Sequence, residues 1–144
     1  MTHTDKKPKD AHTLLSSNDG WIYLDVRSVE EFGGGHPIGA WNIPVMHRGP
    51  MGMTPNAEFT AVATKVLPKT AKLVVGCASG MRSIRACQLL AAAGYTTLVN
   101  CEGGFQGGRD EVGNPVPGWA AAGLPVETHA AAERTYAHLR QAKG

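Results

Sequence analysis

Lys72-Leu73-Val74-Val75-Gly76-Cys77-Ala78-Ser79-Gly80-Met81-Arg82-Ser83 passes from an apolar run into a short run of small residues, and a helical pattern begins directly behind it. Residues 73–75 read as a buried strand and residues 78–80 as a loop. From 82 to 93 the side chains of Ile84, Cys87, Leu90 and Ala91 recur on one helical face, and Gly94 ends the helix. Cys77 therefore stands where a strand meets a helix N-terminus. Unpaired backbone N–H groups gather there, which favours a thiolate over a thiol and lets an anion dock beside it. Cys77 reads as a nucleophile, with Ala78, Ser79, Gly80, Met81, Arg82 and Ser83 as its anion-binding loop. Ser79, Gly80 and Arg82 are poor core fillers, which separates Cys77 from a cysteine that merely packs. Cys87, inside the helical stripe, reads as packing. Cys101 follows a strand-like run and reads as a packed residue, the alternative being a second thiol near the mouth.

Outward from this segment, strands and helices alternate. Residues 8–15 form a short helix, 21–24 a strand ending at Asp25-Val26-Arg27, and Ser28 caps a helix with Glu31 at capping-box spacing. Residues 40–43 make a second short strand, 57–66 a helix and 96–99 a further strand, with a polar helix near 130–141. The Gly-, Pro- and Met-rich run from 44 to 57 reads as a surface loop. It carries Met46, Met51 and Met53, which either pack on the nearest helix or line the mouth of the site. The pattern implies an α/β domain, a mostly parallel central sheet with helices on both faces. Ligands of such sheets bind beyond the carboxyl ends of the strands. Asp25 and Cys77 share that edge, making Asp25, Arg27 and Arg82 neighbours of the thiol. For Arg27 the competing reading is a surface pair with Glu31.

With 144 residues and a net charge of +2, the chain supports one domain and offers no basic surface for nucleic acid. Three cysteines without a C-x-x-C pair, and six histidines without an H-x-x-x-H pair, give no disulfide scaffold, metal site or cofactor motif. No apolar stretch is long enough for a secretory h-region or a membrane span. A reducing compartment, most simply the cytoplasm, is expected, with an organelle lumen left open. The expected layout is a polar tail (1–8), a domain (9–128) and a C-terminal helix and tail (129–144).

Leu24-Asp25-Val26-Arg27-Ser28-x-x-Glu31-Phe32, Gly35-His36-Pro37-Ile38-Gly39-Ala40-x-Asn42-Ile43-Pro44, the Cys77 loop, Glu102-Gly103-Gly104-Phe105 and Gly118-Trp119 with Gly123-Leu124-Pro125 follow in an order that resembles the rhodanese-like sulfurtransferases. The resemblance spans residues 10–127 and implies a single-domain rhodanese fold. It also implies that Cys77 takes a sulfane sulfur from thiosulfate or a persulfide, holds it as a persulfide, and passes it to a thiol, cyanide or a protein acceptor. One departure is the run 106–117, which separates the Gly-Gly-Phe from Trp119 and is expected to overhang the site or form a partner surface. His36, within the family motif, reads as a turn-stabilising residue.

Two other classes fit the same scaffold. Phosphatase and arsenate reductase relatives carry five residues between the loop Cys and Arg, whereas Cys77 and Arg82 enclose four, a ring better sized for sulfur than for a tetrahedral oxyanion. A sensing or protein-binding module without turnover is the other, although such members often lack the cysteine that this chain retains.

Overall fold

A computed structural model describes residues 3–79, 81–110 and 112–142, so Gly80 of the expected loop lies outside the described residues. In chain order the elements are β1 (Thr4–Lys6), α1 (Pro8–Leu15), β2 (Ile22–Asp25), α2 (Val29–Gly33), β3 (His36–Pro37), β4 (Trp41–Asn42), β5 (Met46–Gly49), β6 (Gly52–Pro55), α3 (Phe59–Val66), β7 (Lys72–Gly76), α4 (Met81–Ala92) and β8 (Thr97–Cys101). They continue as β9 (Gly108–Arg109), β10 (Pro115–Val116), β11 (Val126–Glu127), a 3-10 turn (Ala132–Arg134) and α5 (Tyr136–Leu139).

Among the described residues the central sheet has the order β1-β8-β7-β2-β4, and every pairing in it is parallel. Side chains of its inner strands are apolar on both faces, as a sheet covered on both sides requires. Leu24, Leu73, Val75 and Leu98 point to one face, where Phe59, Val62 and Ala63 of α3, Ala86, Cys87 and Leu90 of α4, and Tyr136 and Leu139 of α5 pack on them. Tyr23, Val74, Val99 and Cys101 point to the other face, against Ala11 of α1, Phe32 of α2 and Trp119. A fully buried side chain such as Leu90 contributes on the order of 2 kcal/mol. Gly76, the last residue of β7, leaves room for Tyr23: a Cβ there would overlap the phenolic oxygen. The Ser28 capping box forms as expected, Ser28 Oγ accepting from Glu31 N at 3.2 Å while Glu31 Oε1 accepts from Ser28 N at 3.2 Å.

Four expectations change. Thr4–Lys6, expected as part of a polar tail, is an edge strand pairing in parallel with β8. Its side chains give no apolar signal because the pairing is made by backbone groups. The expected loop 44–57 contains an antiparallel hairpin, β5 with β6, turned at Pro50 and Met51. Gly52, at φ +103°, supplies the backbone that this tight turn needs. The expected C-terminal helix is interrupted at Thr135, which is extended, leaving a 3-10 turn and one short helix. That short helix is anchored: Tyr136 and Leu139 are buried, and Tyr136 Oη accepts from Asn56 Nδ2 at 3.0 Å. The run 106–117 forms a second small hairpin, β9 with β10.

Candidate active site

Cys77 follows directly on β7, the central strand, and its residue is only 1% exposed. Its neighbour Gly76 stands in register with Asp25, so the carboxyl ends of β7 and β2 lie side by side as the alternating pattern implies. The backbone after Cys77 is held from outside. Phe105 N donates to Cys77 O at 2.7 Å and Gln106 N to Ala78 O at 2.8 Å. Those two carbonyl oxygens are committed to amide donors and do not face an anion at the loop. This contact requires Gly104, at φ +58°, because a Cβ there would overlap the Cys77 carbonyl and lie 2.8 Å from that of Ala78. Gly108 of the second hairpin packs as tightly on Ser79 O, so the start of β9 lies directly on the loop.

A polar chain runs from the sulfur along one face of the sheet to its edge strand. Cys77 Sγ lies 3.4 Å from Ser83 Oγ, the Ser83 hydroxyl donates to Asn100 Oδ1, and Asn100 Nδ2 donates to Asp5 Oδ1 at 3.0 Å. Ser83 and Asn100 are buried, and Asp5 is also 3.3 Å from His3 Nε2. The Asp5 carboxylate only accepts, so it fixes the Asn100 amide with its NH2 toward Asp5 and its oxygen toward Ser83. That oxygen in turn draws the Ser83 proton away from the sulfur. Ser83 thus offers the sulfur a lone pair, and the thiol donates to it.

Arg82, expected to set its charge beside the loop, forks its guanidinium onto Glu31, Nη1 to Oε1 at 2.7 Å and Nη2 to Oε2 at 2.8 Å, and Cys77 is among the groups that act electrostatically on it. The hydrogen bonds from Arg82 hold Glu31 down at about 2, against desolvation. Glu31 is therefore the partner of Arg82, and the surface pair with Arg27 does not form. Arg27 is buried and forks onto Asp25, with Nη2 to Oδ2 at 2.7 Å and Nε to Oδ1 at 3.0 Å. It also donates to Gly35 O at 2.7 Å and lies 4.4 Å from the centroid of Phe105, the residue that holds Cys77 O. Asp25 thus holds Arg27, and Arg27 lies against the ring of Phe105.

The other cysteines sit in the core. Burial pushes the Cys87 thiol up to about 12, and burial does the same to Cys101 against the opposing hydroxyl of Tyr23. Cys101 lies on the opposite face of the sheet from Cys77. His36 is likewise structural: Nδ1 donates to Phe32 O at 2.7 Å, and Nε2 lies 3.0 Å from Glu127 Oε2. Met51, at the tip of the first hairpin, is 94% exposed, whereas Met46 turns inward against the core.

Two clefts reach the loop, one at Ser79 and Met81 and the other at Arg82. One, of about 170 Å³, is lined by Ser79, Met81, Asn100, Asp5, Glu102 and Asp110, among others. The other, of about 420 Å³, runs between the first hairpin, α3 and α4, past Arg82 and Arg85. Asn100, Asp5 and the partner role of Glu31 were not read from the sequence. The hydrogen-bonded positions 83 and 100, and the paired positions 31 and 82, are too far apart along the chain for local spacing to reveal them.

Residues 7–111 match the sequence profile described as the rhodanese-like domain. Among relatives, "Thiosulfate sulfurtransferase 16, chloroplastic" from Arabidopsis thaliana is 39% identical over 117 residues, covering 81% of this chain and 87% of that protein. "Senescence-associated protein DIN1" from Raphanus sativus is 37% identical, covering 75% of this chain and 53% of that protein. The crystal structure of Rv0390 from M. tuberculosis superposes with a TM-score of 0.72 at 30% identity, covering 88% of this chain and 98% of that one. These names correct the expected cytoplasmic location, because several relatives are named as chloroplastic. A secretory h-region and a membrane span are the addresses that hydropathy tests, and neither bears on entry into a plastid.

Proposed function

The chain belongs to the rhodanese-like domain family, and from that premise we propose that it is a sulfurtransferase working through a persulfide on Cys77. The Cys77 thiolate attacks the outer sulfur of the donor and forms an S–S bond. The donor's own bond to that sulfur breaks, releasing sulfite from thiosulfate or a thiolate from a persulfide. A thiol or cyanide acceptor then attacks the outer sulfur and leaves with it, and the electron pair of the broken S–S bond returns to Cys77. Two thiosulfate sulfurtransferases among the relatives, 39% and 43% identical, support this reading.

The observation that carries it is the setting of one thiol. Cys77 alone among the three cysteines stands between the carboxyl end of a sheet strand and the first turn of a helix, α4, while the other two thiols are pushed up to about 12. Residues 78–83 are the groups that would surround the bound sulfur, with Asp25 and Arg27 supporting them. The loop interior bears no charge of its own, so thiosulfate serves as an assay donor while persulfides of small thiols or of a partner protein fit equally well.

Mass spectrometry after incubation with thiosulfate or a small-molecule persulfide tests the proposal. One added sulfur on the Cys77 peptide, discharged by cyanide or a thiol and absent from Cys77→Ser, is the expected result. Undiminished transfer by Cys77→Ser would sink the mechanism. Sulfur that loads and never discharges would point to a sensing module.

A further inference from the structure

The larger of the two clefts beside the Cys77 loop is suited to one kind of acceptor. Val45, Met46, Phe59 and Leu89 give it an apolar wall, Arg82 and Arg85 give it positive charge, and no carboxylate lines it among the described residues. The smaller cleft has the opposite character, with Asp5, Glu102 and Asp110 against the single Arg109. An anion approaching the loop is repelled on that side and drawn to the other. Arg82 is held by Glu31, but Arg85 is exposed, and its hydrogen bond to Gln88 Oε1, at 3.5 Å, is at the limit of that interaction. A volume of about 420 Å³ admits a small organic molecule and far exceeds the needs of cyanide. Arg82 lines this cleft, lies in the first turn of α4 and is acted on electrostatically by Cys77, so the cleft reaches the loop at Arg82.

We propose that this cleft is the acceptor site, and that it selects thiols with a short apolar chain ending in an anionic group. The proposal rests on the sulfurtransferase reading above. The chain lies on Val45, Met46, Phe59 and Leu89, and the anionic head meets Arg85. In the transfer step the acceptor thiol gives its proton to solvent, and its thiolate bonds to the outer sulfur of the Cys77 persulfide. The S–S bond to Cys77 breaks, its electron pair stays on Cys77 as thiolate, and the acceptor leaves as a persulfide. Nothing is oxidised or reduced overall, because the sulfane sulfur only changes hands.

Three acceptors separate charge from apolar length: 6-mercaptohexanoate, 6-mercaptohexanol and 3-mercaptopropionate. Discharge of persulfide-loaded protein is measured with each, normalised to the loading of the same variant. The hexanoate is expected to give the highest kcat/KM, and Arg85→Glu is expected to cut the hexanoate-to-hexanol ratio about tenfold or more, as loss of a charge-assisted contact does. Leu89→Gln is expected to narrow the gap between hexanoate and propionate. A hexanol as effective as the hexanoate, or a ratio that survives Arg85→Glu, would overturn the assignment. Calorimetry with hexanoate, which has no thiol, keeps this result separate from the sulfurtransferase reading. Binding that Arg85→Glu abolishes, in a protein that never loads sulfur, would sustain the cleft and sink only the reaction; no binding to the unaltered protein would overturn the cleft.

Discussion

Replacing Asn100 by alanine should make Cys77 more reactive, although it removes a buried polar side chain next to the candidate site. Asn100 Oδ1 takes the Ser83 proton, and Asp5 keeps that oxygen pointed at Ser83 through Nδ2 at 3.0 Å. With the amide gone, the Ser83 hydroxyl loses this acceptor, and a thiolate on the sulfur 3.4 Å away is expected to take its hydrogen bond. A hydrogen bond to a charged group contributes about 1.5–3 kcal/mol, which corresponds to about one to two pH units. The midpoint of Cys77 alkylation by iodoacetamide, followed on the Cys77 peptide by mass spectrometry, should therefore move that far to lower pH. Stability should fall by about 1–3 kcal/mol through the lost bonds, measurable in urea. Ser83→Ala supplies the control, because without a hydroxyl there is nothing to reorient. The double variant Ser83→Ala/Asn100→Ala should show none of the downward shift, and the double-mutant cycle isolates the term. A midpoint that moves upward or stays in place in Asn100→Ala, or a shift that persists in the double variant, refutes the idea that Asn100 directs the Ser83 proton.

Three other expectations follow from the same geometry. Arg82 holds Glu31 below its ordinary 4.5 to about 2, so this pair stabilises the fold fully above about pH 5 and loses its contribution as pH falls toward 2. Solvent screening leaves about 1 kcal/mol, and the stability gap between the protein and Glu31→Gln should close over that range in acid titrations followed by circular dichroism; a gap unchanged at pH 2 contradicts the pairing. Gly104→Ala should lower stability by about 2 kcal/mol or more, from the left-handed backbone alone, and should also slow sulfur loading, since the new Cβ meets the carbonyls of Cys77 and Ala78; loading at the original rate would show that Gly104 does not set the loop. Arg27→Met leaves the Asp25 carboxylate buried without its fork and should cost about 3–5 kcal/mol in denaturant melts, with Arg27→Lys recovering little because a point charge cannot replace two parallel N–H donors.

The parallel core was legible because its strands carry their signal locally. Residues 73–75 are an unbroken apolar run, Gly94 marks the helix end, and Ser28 with Glu31 fits a capping box that the structure contains. The strand edge that brings Asp25 beside Gly76 follows from parallel order alone. What escaped was built on backbone pairing or on distant partners. Thr4–Lys6 is exposed at each position, so no alternation marks it as a strand. Met46–Gly49 and Gly52–Pro55 pair through a two-residue turn, Pro50 and Met51, which with the flanking Gly49 and Gly52 imitates a loop. Arg82 fits an anion ligand by its position after the loop. Its carboxylate partner sits on another helix, which composition cannot place.

The strand β1 is short, exposed and at the rim of the sheet, and such rims open far more often than the core around them. Because Asp5 on that strand keeps the Asn100 amide oriented, peeling of the rim would remove the group that fixes the acceptor of the Ser83 proton while the core stays shut. The chemical alertness of the thiol is thereby tied to how firmly the amino-terminal end is seated. A fusion partner or a bound protein that tugs at β1 would act as a dial on the cysteine from the rim of the sheet. Reactivity compared between preparations with different fusion partners would then report handling of β1 as much as any property of the loop.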